Sequence, residues 1–259
     1  MAKYFTLFTF SVIHSLRNYQ GLIGLSLFLI TCLLVFAHLW QVAAAKIGAA
    51  HLDPDQLLWY IALNEWVLIA FPEVQEGMEQ DVKLGRLAYL LPRPISYLGA
   101  TFAEGLGTLS VHLGVLGLVA FLFTWWRTGI VPFDIPSFCI IIVLGLLAGI
   151  VAVIFQMVIG LSSFWLQEVA PCNWIWEKLL FALGGLLVPL SLYPSWIQSI
   201  AAYTPFPAIL GQRSALAIHF SLVEATTIAA TLILWGILGG IALQVLYRRG
   251  TRILHIEGG

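Results

Sequence analysis

The chain has 259 residues, of which 60% are hydrophobic and only 10% are charged. Soluble globular domains carry about 25% charged residues, so this composition lies outside the soluble class. A mean hydropathy of +0.95 with long uncharged stretches predicts a polytopic membrane protein. The net charge of −1 excludes a nucleic-acid-binding chain that relies on bulk positive charge. Three cysteines without paired spacing indicate neither a disulfide framework nor a zinc site.

Six stretches qualify as transmembrane helices, because roughly 20 apolar residues are needed to cross about 30 Å of hydrocarbon. They are residues 21–45, 56–72, 98–125, 137–166, 175–194 and 222–247. The first and fourth contain no charged residue, whereas the second is short and carries Asn64 and Glu65 near its centre. The sequence therefore predicts an all-α membrane protein with six transmembrane helices in a single domain over residues 1–259.

The distribution of Lys and Arg predicts the orientation, because short cytoplasmic segments carry an excess of both. With a cytoplasmic N-terminus, the outside retains three basic residues, namely Lys46, Arg127 and Arg213. The inside holds nine, namely Lys3, Arg17, Lys83, Arg86, Arg93, Lys178, Arg248, Arg249 and Arg252. We therefore expect both termini in the cytoplasm.

Residues 1–20 are predicted to form an amphipathic helix that lies in the cytoplasmic membrane interface. At helical spacing the apolar side chains share one face and the polar ones gather opposite them. The apolar face consists of Phe5, Phe8, Val12, Leu16 and Tyr19. A loose apolar tail leading into the first span is the alternative.

Two connecting segments are predicted to form shorter helices. Residues 73–97 are the longest polar cytoplasmic segment, in which acidic residues precede basic ones. A helix there would either dock a soluble partner or lie as a connector on the lipid headgroups. Residues 195–221 are too apolar for an exposed loop, and irregular backbone at membrane depth must be covered by protein. They are therefore predicted to form re-entrant helices broken at Pro205 and Pro207.

Catalytic motifs are missing from the sequence. No lysine is followed by Ser or Thr as a phosphate-binding loop requires, and the histidines lack zinc-ligand spacing. Three ionisable residues lie within spans, namely Glu65, Glu104 and His112. Each should face protein or water, because a carboxylate in hydrocarbon costs at least ~2.5–3.5 kcal/mol. They would either line a polar path or hold the bundle together.

Three stretches resemble the membrane subunits of ATP-binding-cassette (ABC) exporters of the type-2 permease class. GRLAYLLPRPISY (85–97) is similar to the family's glycine-containing turn that closes with Arg-Pro ahead of the third span. LLVPLSLYPSWIQSIAAYTPFPA (186–208) is similar to the proline and aromatic pattern after the fifth span. YRRGTRILHIEGG (247–259) resembles the family's basic ending. The likeness is to a bacterial branch in which two related six-span permeases accompany a separate ATPase.

The resemblance implies a permease subunit that is not itself an enzyme and that resides in the bacterial inner membrane. Its partners would be ABC ATPase subunits, membrane lipids and a second six-span permease, a related chain rather than an identical copy. ATP and Mg would bind to the ATPase, so this chain would need no cofactor and no metal. Residues 1–20 would form the family's connecting helix.

The resemblance also assigns roles to particular residues. Coupling to the ATPase would fall to a helix within residues 73–91, with Glu79, Asp81, Lys83, Gly85 and Arg86. The re-entrant segment would form the outer gate, with Pro194, Trp196, Tyr203, Pro205 and Phe206. Glu65 would lie on the translocation path.

The function that follows is ATP-driven export of a hydrophobic or amphipathic substrate from the cytoplasm or the inner leaflet. An ion-coupled secondary carrier is an alternative, although it usually carries an internal repeat that this sequence lacks. An intramembrane enzyme is a second competing hypothesis, for which no nucleophile or metal set is assembled. An assembly subunit without a transport role is the third.

Overall fold

The computed structural model describes residues 2–47, 53–166 and 168–257, and all regular structure in these ranges is helical. Five stretches of this part of the chain are long and apolar enough to cross a membrane. They are Tyr19–Val42, Pro54–Lys83, Tyr97–Thr128, Ile135–Phe164 and Leu222–Arg252. Helices suit this environment because they satisfy their own backbone hydrogen bonds. The predicted all-α polytopic membrane fold is confirmed.

Twelve α-helices follow one another in the described ranges, with short 3-10 turns at Ser162–Phe164 and Leu190–Leu192. The helices are α1 (Ala2–Arg17), α2 (Tyr19–Ile47), α3 (Pro54–Ile69), α4 (Val74–Lys83), α5 (Leu87–Leu90), α6 (Tyr97–Thr128), α7 (Ile135–Leu161), α8 (Ala170–Leu183), α9 (Ser195–Ala202), α10 (Phe206–Ile209), α11 (Gly211–Ala215) and α12 (Leu222–Glu257).

Helix α3 is the most enclosed element of the bundle. Every residue from Leu57 to Val67 is buried, and the helix contacts α2, α6, α7 and α11. Its start is well defined, because Asp53 accepts a hydrogen bond from the backbone N–H of Asp55 and Pro54 fits the first helical position. A helix that is buried on all sides can carry polar residues only if neighbouring helices supply their partners.

Helix α1 packs along the first part of α6 through a narrow face of small and polar contacts. Ser11 donates a hydrogen bond to the backbone oxygen of Glu104 at 2.7 Å, and Tyr4 accepts one from the backbone N–H of Ser96. The apolar side chains of Phe5 and Leu16 remain exposed. The structure therefore has a helix over the predicted interfacial segment, and its position at the membrane surface remains a prediction.

The fifth predicted span, 175–194, is not a continuous helix. Helix α8 has 14 residues, which at 1.5 Å per residue reach only about 21 Å. It ends at the pair Gly184 and Gly185, and Gly185 has a φ of +68°, a conformation that favours glycine. The apolar run extends beyond the point at which these two adjacent glycines end the helix, so a sixth span over residues 175–194 is not confirmed.

The close approach of α1 to α6 gives a testable prediction at Gly107. A Cβ there would lie 2.7 Å from the backbone oxygen of Phe8, whereas a Cβ at Gly114 of the same helix would meet nothing within 4 Å. We expect Gly107→Leu to lower the free energy of unfolding by about 1–3 kcal/mol through overpacking. Gly114→Leu should leave it unchanged. Thermal unfolding of both purified variants in detergent checks this, and equal midpoints would contradict the proposed packing.

Candidate functional site

The segment after α8 turns back into the bundle and ends in its interior. Residues 205–211 are all buried, and helices α10 and α11 contact α3, α7 and α12. The backbone N–H of Gly211 donates to the backbone oxygen of Gly184 at 2.8 Å. The returning segment is thus hydrogen-bonded to the point at which α8 breaks.

A cluster of polar side chains joins this segment to α3. We define the polar cluster as Tyr60 and Asn64 of α3 together with Arg213 and Ser214 of α11. Ser214 donates to Oδ1 of Asn64 at 2.7 Å, and Nδ2 of Asn64 donates to the backbone oxygen of Leu186 at 3.0 Å. All four side chains are fully buried.

Backbone groups released by the broken helix find partners in the same place. The hydroxyl of Tyr60 and Nδ2 of Asn64 both donate to the backbone oxygen of Gly185. A Cβ on Gly211 would lie only 2.6 Å from that tyrosine hydroxyl and from the backbone oxygen of Gly184. Glycine is therefore required at position 211 for this close contact between three parts of the chain.

Arg213 is the most unusual member of the polar cluster. Its Nη2 donates to the backbone oxygen of Leu63 at 2.6 Å, and its Nε lies 3.4 Å from the backbone oxygen of Ile209. The guanidinium also lies over the ring of Trp66, 5.8 Å from its centre. Its Nη1 has no hydrogen-bond partner in the part of the chain that the structure describes. Carbonyl dipoles and an aromatic ring, rather than a carboxylate, stabilise this buried cation.

The residues predicted for the outer gate fall into two groups. Pro205 and Phe206 are buried, and the ring of Phe206 lies 5.2 Å from that of Trp176 in α8. Trp196 and Tyr203 are exposed at 65% and 84% of their surface, and Pro194 is exposed as well. The structure therefore places two of the five inside the bundle and three on its surface. Their role in gating remains a prediction.

Helix α4 lies within the predicted coupling segment and is held by one buried face. Met78 and Gln75 pack against Gly160 near the end of α7, so closely that a Cβ there would lie 2.9 Å from the Met78 side chain. The opposite face, which includes Glu76 and Gln80, is exposed. A short helix fixed on one side and open on the other can accept a soluble partner.

The five residues predicted for coupling cluster at the end of α4 and in the turn that follows. Lys83 pairs with Glu79 at 2.5 Å, and Arg86 lies 3.7 Å from Asp81, which also accepts a hydrogen bond from Tyr97. Gly85 has a φ of +65° and an open surface around its Cα. The neighbouring Leu84 and Tyr89 are exposed. Coupling through this turn remains a prediction.

The three ionisable residues predicted within spans do not form a common site. Glu65 is buried on α3 but takes no part in the hydrogen bonds of the polar cluster. Glu104 is exposed and borders clefts beside α1 and α4. His112 lies with Nδ1 3.3 Å from the backbone oxygen of Ala70. A place for Glu65 on the translocation path remains a prediction.

Sequence reasoning missed Tyr60, Arg213 and Ser214. Arg213 was counted among the basic residues on the outside, within the segment predicted to form re-entrant helices, and it is completely buried. The available signal was a single arginine within the otherwise uncharged and mainly apolar segment 206–216. An ionisable residue in such surroundings marks a site of structural or functional importance.

This architecture combines long apolar helices, a short amphipathic helix and turn between two of them, and a buried segment that returns into the bundle. It defines a polytopic membrane protein. The family model described as ABC-2 family transporter protein matches residues 56–258. The chain belongs to this family. Membership makes it a transport membrane subunit and implies association with ABC ATPase subunits. No curated protein matches the chain.

The buried arginine gives a testable prediction. Arg213→Met retains an unbranched apolar side chain but removes the guanidinium and its hydrogen bond to Leu63, so we expect the free energy of unfolding to fall by about 1–3 kcal/mol. The neighbouring Gln212 is exposed, and Gln212→Met should have no measurable effect. Thermal unfolding in detergent compares the two variants. Equal stability of both would show that the Arg213 contacts contribute nothing to the fold.

Proposed function

We propose that this chain is the permease subunit of an ABC exporter that moves a hydrophobic or amphipathic substrate out of the cytoplasm or the inner leaflet. The observation that carries the proposal is the family match over residues 56–258, which includes the α4 turn, the polar cluster and the re-entrant segment. The chain is not an enzyme by itself. ATP and Mg bind to a separate ATPase, and this subunit needs no cofactor.

The proposed orientation places both termini in the cytoplasm of a bacterial cell, with the chain in the inner membrane. The excess of Lys and Arg in the N-terminal segment, the α4–α5 region and the end of α12 supports this orientation. The α4 turn then faces the ATPase. The re-entrant segment belongs to the outer half of the bundle, where export ends.

Coupling begins at the exposed turn that follows α4. Closure of the ATPase around ATP displaces this turn, and Glu79, Asp81, Lys83, Gly85 and Arg86 form its contact surface. Only the short segment 70–73 separates α4 from α3. A displacement of α4 therefore acts directly on the helix that carries Tyr60 and Asn64.

The re-entrant segment is the outer gate in this proposal. Pro205 and Phe206 anchor it, since both are buried. Pro194, Trp196 and Tyr203 form its exposed side. Because Arg213 and Ser214 bind α3 through hydrogen bonds, movement of α3 changes the position of the gate. Glu65, which is buried on α3, faces the translocation path.

A second six-span permease completes the transporter. Large apolar side chains are exposed on α8 and α9, among them Trp174, Phe181, Trp196 and Ile200. An exposed apolar surface of this kind suits a protein partner or lipid. The resemblance to the bacterial branch with two different permeases favours a related chain over an identical copy.

The test uses a charge reversal at the coupling turn. Arg86 and Arg127 are both exposed but lie at opposite ends of the helical bundle, one after α4 and the other at the end of α6. We expect purification of the native chain in mild detergent to recover an ABC ATPase. Arg86→Glu should reduce its recovery at least several-fold, because it reverses the charge on the docking surface. Quantitative mass spectrometry of the purified complexes measures the ratio.

Arg127→Glu is the matched control, and it should retain the ATPase at the native ratio. Loss of the exposed pair between Arg86 and Asp81 should affect stability little, because such surface pairs contribute about 0–1 kcal/mol. Recovery of the native chain without any ATPase under several mild solubilisation conditions would overturn the proposed function. Equal recovery in both variants would exclude Arg86 from the coupling surface.

A further inference from the structure

A deep groove opens between α3, α6 and α7 in the half of the bundle remote from α4. It has a volume of about 550 Å3. Trp59 and Trp66 of α3, Phe121 of α6 and Phe138 of α7 form its aromatic walls, and Gly114 lies in its lining on α6. It is separate from the coupling turn and from the exposed side of the gate. None of the roles proposed above uses it.

The polar side-chain groups on the walls of the groove are already satisfied within the protein. Nε1 of Trp59 donates to the backbone oxygen of Ile130 at 3.0 Å, and Nε1 of Trp66 donates to that of Leu113 at 2.7 Å. The hydroxyl of Ser110 donates to the backbone oxygen of Leu106 at 2.6 Å. An occupant therefore needs no hydrogen-bonding groups, and a polar occupant would lose its own hydration without compensation.

The residues at the rim of the groove and the size of the groove indicate which kind of molecule fits it. Its rim carries the exposed apolar residues Leu118, Ile142 and Leu146 on two helices that are long enough to span a bilayer. A helix with side chains is about 10–12 Å wide. A single hydrocarbon chain is thinner and is the main component of the bilayer at this depth.

We propose that this groove binds one acyl chain of a membrane phospholipid. The bound chain lies against residues that also hold the re-entrant segment. Leu63 and Trp66 line the groove, while the backbone oxygen of Leu63 accepts the hydrogen bond from Arg213 and the Trp66 ring lies beneath its guanidinium. Filling the groove therefore stabilises Trp66 in the position that supports Arg213. The proposal goes beyond the exporter function and does not depend on the ATPase.

The experiment labels the full chain with a phospholipid that carries a photoreactive diazirine in its acyl chain. The purified protein is reconstituted in phosphatidylcholine vesicles that contain a small fraction of this lipid, illuminated and mapped by peptide mass spectrometry. We expect residues 110–121 and 138–146 to be labelled several-fold more than the exposed face of α12. Labelling at or below the level of α12 would overturn the proposal.

The Gly114→Leu substitution blocks the groove with a larger side chain. A Cβ at this position meets no protein atom within 4 Å, so the side chain can extend into the groove. It should lower groove labelling several-fold. The matched control is Gly24→Leu on α2, where a Cβ likewise meets nothing within 4 Å, and it should leave groove labelling unchanged. Equal groove labelling in the two variants would contradict the proposal.

A second measurement uses the unmodified sequence, so that the test does not depend on the folding of the Gly114→Leu variant. The chain is produced with photoactivatable leucine, and Leu118 at the rim reports what lies over the groove. Crosslinks from Leu118 to lipid support the proposal, whereas crosslinks to a second copy of the chain overturn it. Failure to recover an ATPase in the purification described above would overturn the exporter function and leave the groove assignment intact.

Discussion

A helix that breaks inside a membrane protein must find new partners for the backbone groups that it releases, because lipid offers none. In this chain α8 breaks at Gly184 and Gly185, and Tyr60 and Asn64 of α3 donate hydrogen bonds to the freed carbonyl of Gly185. The returning α11 then satisfies Asn64 in turn. The re-entrant segment can therefore remain buried only while α3 holds its present position. Burial of residues 205–211 thus depends on the polar cluster.

Helix α3 connects the polar cluster with the exposed turn that follows α4. It carries Tyr60 and Asn64 of the polar cluster. It continues through residues 70–73 into α4, whose end is followed by the exposed turn around Gly85. Helix α4 is in turn fixed on α7 by Met78. A bundle with these connections favours movement of α3 and α4 as a unit, because packed cores shift between discrete arrangements rather than deform continuously.

The hydropathy pattern predicted the long helices well, because about 20 consecutive apolar residues are the length that a membrane-spanning helix requires. It did not locate the end of α8, since a window average does not register that Gly184 and Gly185 end the helix. The charge rule did not reveal that Arg213 is buried, because it counts basic residues by segment and not by burial. Burial of this cation depends on Leu63 and Trp66, about 150 positions earlier in the chain. Such long-range pairing is not visible in local sequence patterns.

Trp66 connects the apolar groove with the polar cluster, and its geometry explains how an uncharged side chain supports a buried cation. Its indole N–H is bonded to α6, which fixes the ring between the groove and Arg213. A cation over an aromatic face is attracted more strongly when water is absent. An acyl chain in the groove excludes water from the other side of this ring. The proposed acyl-chain site and the stabilisation of buried Arg213 thus share one residue, Trp66.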